Sequence, residues 1–137
     1  MSYLIMKAAF EVHNELGPGF PESIYEEAMN RELTRLGVSP EHQKKVKVYF
    51  KGEPLGEFFL DNIANGHIIL EYKAVSEIAR IHEQRALSYL KATGLELAIV
   101  INFGAARVQS SRVVNTKGKA KLPPRFPRGK DSPADKT

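Results

Sequence analysis

The stretch from Phe58 to Val75, FFLDNIANGHIILEYKAV, most constrains what this chain can fold into. Two apolar runs flank Asn65-Gly66, a pair suited to a hairpin turn because both residues tolerate positive φ. Register then decides which residues share a face, since a slip of one residue turns every side chain over. A two-residue loop sets Ala64 opposite His67 and Asp61 opposite Leu70, so that Asp61 and Glu71 point to opposite faces. Glu71 and Lys73 would then be mixed with Phe58 and Leu60, which leaves charges unpaired among apolar groups. A three-residue loop, Ala64-Asn65-Gly66 with Gly66 left-handed as a bulge, sets Asp61 opposite Ile69. Phe58, Leu60, Ile68, Leu70 and Tyr72 then form one clean face, and Phe59, Asp61, Ile63, Ile69, Glu71 and Lys73 the other. The three-residue loop is the expected one.

The remaining periodicities build a framework around this hairpin. Ile5, Ala8, Ala9, Val12 and Leu16 recur at helical spacing and predict a helix over about 3–16, stopped by Gly17-Pro18-Gly19. Tyr25, Met29, Leu33 and Leu36 predict a second helix between Pro21 and Gly37. The polar segment 40–45 reads as a loop. Strands are expected over 46–50, about 55–63, and 68–75. Ser76 suits the cap of a third helix over about 77–91, with Gly94 after it. LAIVINF, Leu97 to Phe103, is apolar throughout, as a parallel strand buried on both faces would be, and implies a right-handed crossover. Residues 107–115 add an edge strand. The expectation is an α/β fold with a mixed central β-sheet flanked by helices, in the order α-α-β-β-β-α-β-β.

Composition sets the outer limits. The 137 residues are enough for one domain, and the net charge of +4 is unevenly placed. Residues 116–137 carry seven Lys and Arg against two Asp, together with Pro123, Pro124, Pro127 and Pro133. We therefore expect a domain over 1–115 and a flexible basic tail over 116–137. Lys117, Lys119 and Lys121 are candidate nucleic-acid contacts through counterion release, and solubilisation is the plainer role of such a tail. The absence of cysteine excludes disulfides, thiolate metal sites and cysteine nucleophiles. No stretch has the length or apolarity of a membrane span or a secretion signal, so no membrane partner and a cytoplasmic location are expected. His13, His42, His67 and His82 lack zinc-ligand spacing, and no phosphate loop or serine-nucleophile motif is present.

Chemistry-bearing residues concentrate in the hairpin. Glu71 and Lys73, two apart in a strand, leave one face. Asp61 lies diagonally across at about 7–8 Å between backbones, near enough for both carboxylates to reach one cation. Such hard oxygen ligands suit Mg²⁺ or Mn²⁺, which keep several waters and take further ligands from substrate phosphate. Lys73 can then orient water or offset developing negative charge. A structural ion pair between Lys73 and a carboxylate would leave the same pattern. Glu22 falls on the apolar-stripe side of the second helix's first turn, where the helix dipole favours a carboxylate.

Larger motifs carry a resemblance. G19-F20-P21-E22-S23-I24-Y25 fits the pattern GxxExxY. Together with Asp61, E71-Y72-K73, the YLKATG of Tyr89 to Gly94 and the INFG of Ile101 to Gly104, it resembles the GxxExxY protein family over about residues 5–115. That family is assigned to the PD-(D/E)xK, or restriction-endonuclease-like, nuclease superfamily. The resemblance implies that core fold and a Mg²⁺- or Mn²⁺-dependent nuclease, with DNA expected ahead of RNA as substrate; a small nuclease that cuts both strands would act as a homodimer, although no heptad or patch in the sequence marks an interface. The resemblance also implies Asp61 and Glu71 as metal ligands, Lys73 as the catalytic lysine, and Glu22 as the extra acidic position on the N-terminal helix. One departure stands out. Members usually carry glutamine four residues before the tyrosine of the NYLK-like segment, whereas Arg85 stands here, with Gln84 beside it and Ser88 in place of asparagine. Arg85 is suited to clamping a phosphate, and equally to marking a degenerate, non-catalytic module that binds nucleic acid or a protein partner; a solvated helix arginine is the plainer reading.

Overall fold

The computed structural model describes residues 1–116 and 119–122, with backbone alone for 119–121. The elements run α1 (Ser2–Leu16), α2 (Glu22–Arg35), β1 (Pro40–Phe50), β2 (Glu53–Ala64), β3 (Ile68–Lys73), α3 (Arg80–Thr93), β4 (Leu97–Asn102), β5 (Gln109–Thr116) and β6 (Lys119–Lys121). They form one mixed sheet in the order β1-β2-β3-β4-β5-β6. Only β3 and β4 pair in parallel, as the crossover through α3 requires.

Two apolar layers sandwich the sheet. Ala64, Ile68, Leu70, Tyr72, Ile99, Ile101 and Phe103 pack against Ile5, Ala9, Val12, Tyr25, Met29 and Leu33 of α1 and α2. On the other face Ile63, Ile69, Ala98, Val100 and Val113 pack against Ile78, Ala86 and Leu90 around α3. Alternation along β3 and β4 is therefore strict, with even residues of β3 toward α1 and α2 and odd residues toward α3.

The hairpin between β2 and β3 keeps the expected odd offset but moves it by two residues. Ala64 pairs with Ile68, Ile63 with Ile69 and Asn62 with Leu70. Asn65 (φ 51°) and Gly66 (φ 73°) are both left-handed. His67 donates its N–H to the Ala64 carbonyl at 3.0 Å. The loop is thus Asn65-Gly66-His67 rather than Ala64-Asn65-Gly66, because two successive positive-φ residues close the turn and leave His67 as the extra residue. One step further in this register, Asp61 falls opposite Glu71 instead of Ile69.

At that step the two strands part. No β2–β3 pair forms beyond Asn62 and Leu70. Gln43 of β1, which lies between the pairs His42–Asn62 and Lys44–Leu60, has φ 51°, and no pair joins it to Asp61. The β1–β2 arm bends there, so Leu60 packs with Ile63 and Ile69 on the α3 side and Phe58 stacks on Tyr89 at 4.7 Å. This corrects the expectation that Phe58 and Leu60 share the face of Leu70 and Tyr72.

Other differences are local. Residues 40–45 extend β1 instead of forming a loop. Helix α3 begins at Arg80, so Ser76 does not cap it; His82 Nδ1 accepts from the Ala79 N–H at 3.0 Å in that role. The sheet also continues into Lys119–Lys121, part of the segment expected to be tail. Lys117 and the proline-rich remainder lie outside the described residues.

Candidate nuclease-like site at the split of the sheet

The end of β3 is fixed by two backbone-level devices. Asn102, fully buried at the end of β4, accepts from the N–H groups of Val75 (2.9 Å) and Gly104 (3.0 Å). Its amide donates to the Val75 carbonyl (2.9 Å) and to Gln109 Oε1 (3.0 Å). All the amide's bonding capacity is used, as burial demands. Gly104 lies so close to the Ala74-Val75 backbone that an added Cβ would meet the Val75 carbonyl oxygen at 2.3 Å. The N and G of INFG therefore clamp the chain that leaves Lys73.

Helix α2 is fixed by Tyr25. Its hydroxyl donates to the Gly17 carbonyl at 2.5 Å and accepts from the Phe20 N–H at 3.2 Å. Its ring stacks on Phe103 at 4.8 Å. The tyrosine of GxxExxY thus staples the α1–α2 turn onto the core and sets where Glu22, three residues earlier, presents its carboxylate.

These elements bring Glu22, Asp61, Glu71, Lys73 and Arg85 together. Glu71 is 6% exposed, and its carboxyl is pushed up to about 7. Burial is the main cause; Asp61 and Glu22 raise it further, while Lys73 and Arg85 oppose the rise. Lys73 Nζ lies 4.0 Å from Glu22 Oε2. His82 is also within the field of Lys73 and Arg85, and burial first and then these cations hold its proton affinity down. Arg85, exposed on α3 like Gln84 before it, reaches the cluster with its charge. The side chains of Lys119 and Lys121 lie outside the description.

A sixth group escaped the sequence reading. Glu26 lies beside Asp61, and burial first, then the charges of Asp61 and Glu22, raise its pKa. The signal was available, since Glu26 follows Glu22 by four residues and must share its helix face. Behind it, the Tyr72 hydroxyl is buried and has no hydrogen-bond partner among the described residues. Asn62, next to Asp61, donates to Asn30 Oδ1 at 2.6 Å and so ties β2 to α2 beside this pair.

Among the described residues, no group of three or more His, Cys, Asp or Glu forms a ready metal cage. What is present is sparser, two carboxylates that act on one another across parting strands with a lysine beside them. That donor set fits Mg²⁺, which is usually held by one or two carboxylates and leaves its other positions to water and phosphate. It does not fit a soft or tightly caged ion.

A mixed sheet that splits beside a buried acidic residue, with a lysine two positions on, defines an α/β restriction-endonuclease-like fold. The family model of the PD-(D/E)XK nuclease superfamily matches residues 1–113, and the chain belongs to that superfamily. Neither the curated proteins nor the solved structures contain a significant match. No helix among the described residues is long and apolar enough to cross a membrane.

Proposed function

We propose that this chain is a divalent-cation-dependent nuclease of the GxxExxY group, hydrolysing phosphodiester bonds in DNA in preference to RNA. The observation that carries the reading is the buried Glu71 carboxyl with Asp61, Lys73, Arg85 and Glu22 all acting on it. Burying a carboxylate among other carboxylates is unfavourable unless a cation offsets it, and the two local cations leave Glu71 still raised. Asp61 and Glu71 would hold Mg²⁺ or Mn²⁺, with Glu22 beside them. When bound, such an ion supplies positive charge for the scissile phosphate and acidifies water at neutral pH.

The protein's own groups do the rest. Lys73, 14% exposed at its side chain, is placed to orient the attacking water and to offset negative charge on the phosphate oxygens. Glu22 steadies the Lys73 ammonium. Arg85, exposed on α3, offers a planar fork to a neighbouring phosphate. Glu26, beside Asp61, would hold the Asp61 carboxylate by donating its proton to it.

Arg85 also supports a second reading, a binding module in which a guanidinium partly substitutes for the cation. Incubation with single-stranded, duplex and branched DNA and with RNA, with Mg²⁺ or Mn²⁺ and with a chelator, separates the two. Cleavage that the chelator abolishes supports the nuclease. Binding without cleavage on every substrate supports the module.

A further inference from the structure

Beyond the carboxylates, the bend of the β1–β2 arm opens a second feature. Lys47, Val48 and Tyr49 of β1 and Ser88, Lys91 and Ala92 of α3 line a cleft at the sheet edge, with the Lys47 stem leaving the strand beside it. Its lining has two cations, one hydroxyl and one phenol, and no carboxylate.

The cations are available. Lys47 and Lys91 are exposed and make no ion pair within 4.0 Å among the described residues. Glu57 pairs with Lys47 across the strands, yet its carboxylate is engaged by Lys45 at 3.3 Å. The β1–β2 register slips between Val48 and Tyr49, and a bulge of this kind re-aims the side chain beside it. Tyr49 is left 58% exposed. A large aromatic ring in water between two lysines has no role in the core, whose layers end at Val46 and Phe58.

The cleft is also in line with the site. Ser88 follows Arg85 by one helical turn, and Tyr89, stacked on Phe58, feels the charges of Glu71 and Asp61. A track therefore runs along α3 from Glu71 past Arg85 and the Phe58–Tyr89 stack to Lys47, Tyr49 and Lys91.

We propose that the cleft between β1 and α3 binds an unpaired nucleic-acid strand, with phosphates at Lys47 and Lys91 and a base stacked on Tyr49, and leads it to Arg85. The link to the carboxylates rests on the nuclease reading; the binding itself does not. A single strand is chosen over a duplex because an exposed ring stacks only on a base whose face is open.

The test is fluorescence anisotropy with a labelled single-stranded DNA and the duplex of the same sequence, in chelator so that no cleavage occurs. Wild type is compared with Lys47→Ala/Lys91→Ala, Tyr49→Ala and, as a control on α1, Lys7→Ala. The double lysine variant should weaken single-strand binding about tenfold and flatten the salt dependence by about 1.4 log units per log unit of salt, two phosphates' worth. Tyr49→Ala should weaken it about tenfold with the salt slope unchanged. Lys7→Ala should bind as wild type does. Wild-type affinity in both cleft variants, or equal losses on single strand and duplex, would overturn the assignment. A wild type that never cleaves but shows these losses sinks the nuclease reading alone. Chelator-sensitive cleavage with unaffected cleft variants sinks this inference alone.

Discussion

Glu26 on α2 and Asp61 on β2 bring their carboxyls together, and burial first and then the Asp61 charge raise the Glu26 pKa, which favours a proton on Glu26 that could be donated to Asp61. The pair couples the N-terminal helices to the point where β2 leaves β3. If Glu26 serves as the neutral donor, glutamine can replace it and alanine cannot. Glu26→Gln should keep divalent-cation affinity within about threefold of wild type, whereas Glu26→Ala should weaken it about fivefold, the worth of one hydrogen bond. Isothermal titration with Mn²⁺ reads both, and equal losses in the two variants would contradict the donor role.

Glu71 gives the protein a stability that depends on pH. Its carboxyl is raised from 4.5 to about 7, chiefly by burial, so between those values the folded protein holds a proton that the unfolded chain has released. Stability from this group is present below that window, falls as pH rises through it, and levels off above about pH 7. Between about pH 5 and about pH 8, wild type should lose about 2–3 kcal/mol relative to Glu71→Gln in urea unfolding. A difference between the two proteins that is constant with pH would refute the raised value.

The same proton must leave when a cation binds. Mn²⁺ affinity should therefore rise with pH up to about 7 and then level off, with proton release below that pH seen as a dependence of the binding heat on buffer ionisation. In Glu71→Gln both the affinity and the buffer dependence should largely disappear. Tight binding with no proton release would place the cation elsewhere.

Gly104 tests the clamp behind Lys73. A methyl group there would meet the Val75 carbonyl oxygen at 2.3 Å, while one at Gly56 would meet nothing within 4 Å. Gly104→Ala should cost about 3 kcal/mol in urea unfolding, and Gly56→Ala at most about 0.5 kcal/mol. Similar values for the two would remove the close approach from the account.

Much of this was legible in the sequence for identifiable reasons. Alternation in Leu70–Lys73 and helical spacing in α1 and α2 placed the two faces of β3 and the helices, because periodicity reports burial directly. The odd hairpin offset was expected because it keeps Glu71 and Lys73 apart from Phe58 and Leu60; the offset is odd, yet Phe58 and Leu60 turn to the α3 side all the same. What failed had one local cause and several non-local ones. The two-residue shift at His67 depends on two successive left-handed residues. The turn of Phe58 and Leu60 toward α3 depends on β2 parting from β3, which no local pattern encodes. Residues 40–45 look like a loop because an exposed edge strand has no apolar alternation to show. Ser76 gave way to Ala79 because the chain after Lys73 is held by Asn102 and Gln109. Glu26 was overlooked although its spacing from Glu22 pointed to it.

The most direct measurement is cleavage of a labelled DNA in Mg²⁺ or Mn²⁺ by wild type, Lys73→Ala and Asp61→Ala, with circular dichroism confirming that each variant is folded. The account predicts chelator-sensitive cleavage by wild type and a loss of about 10²–10³-fold in each variant. Wild-type rates in both variants would contradict it, because Asp61 and Lys73 at the split of the sheet would then have no part in the reaction.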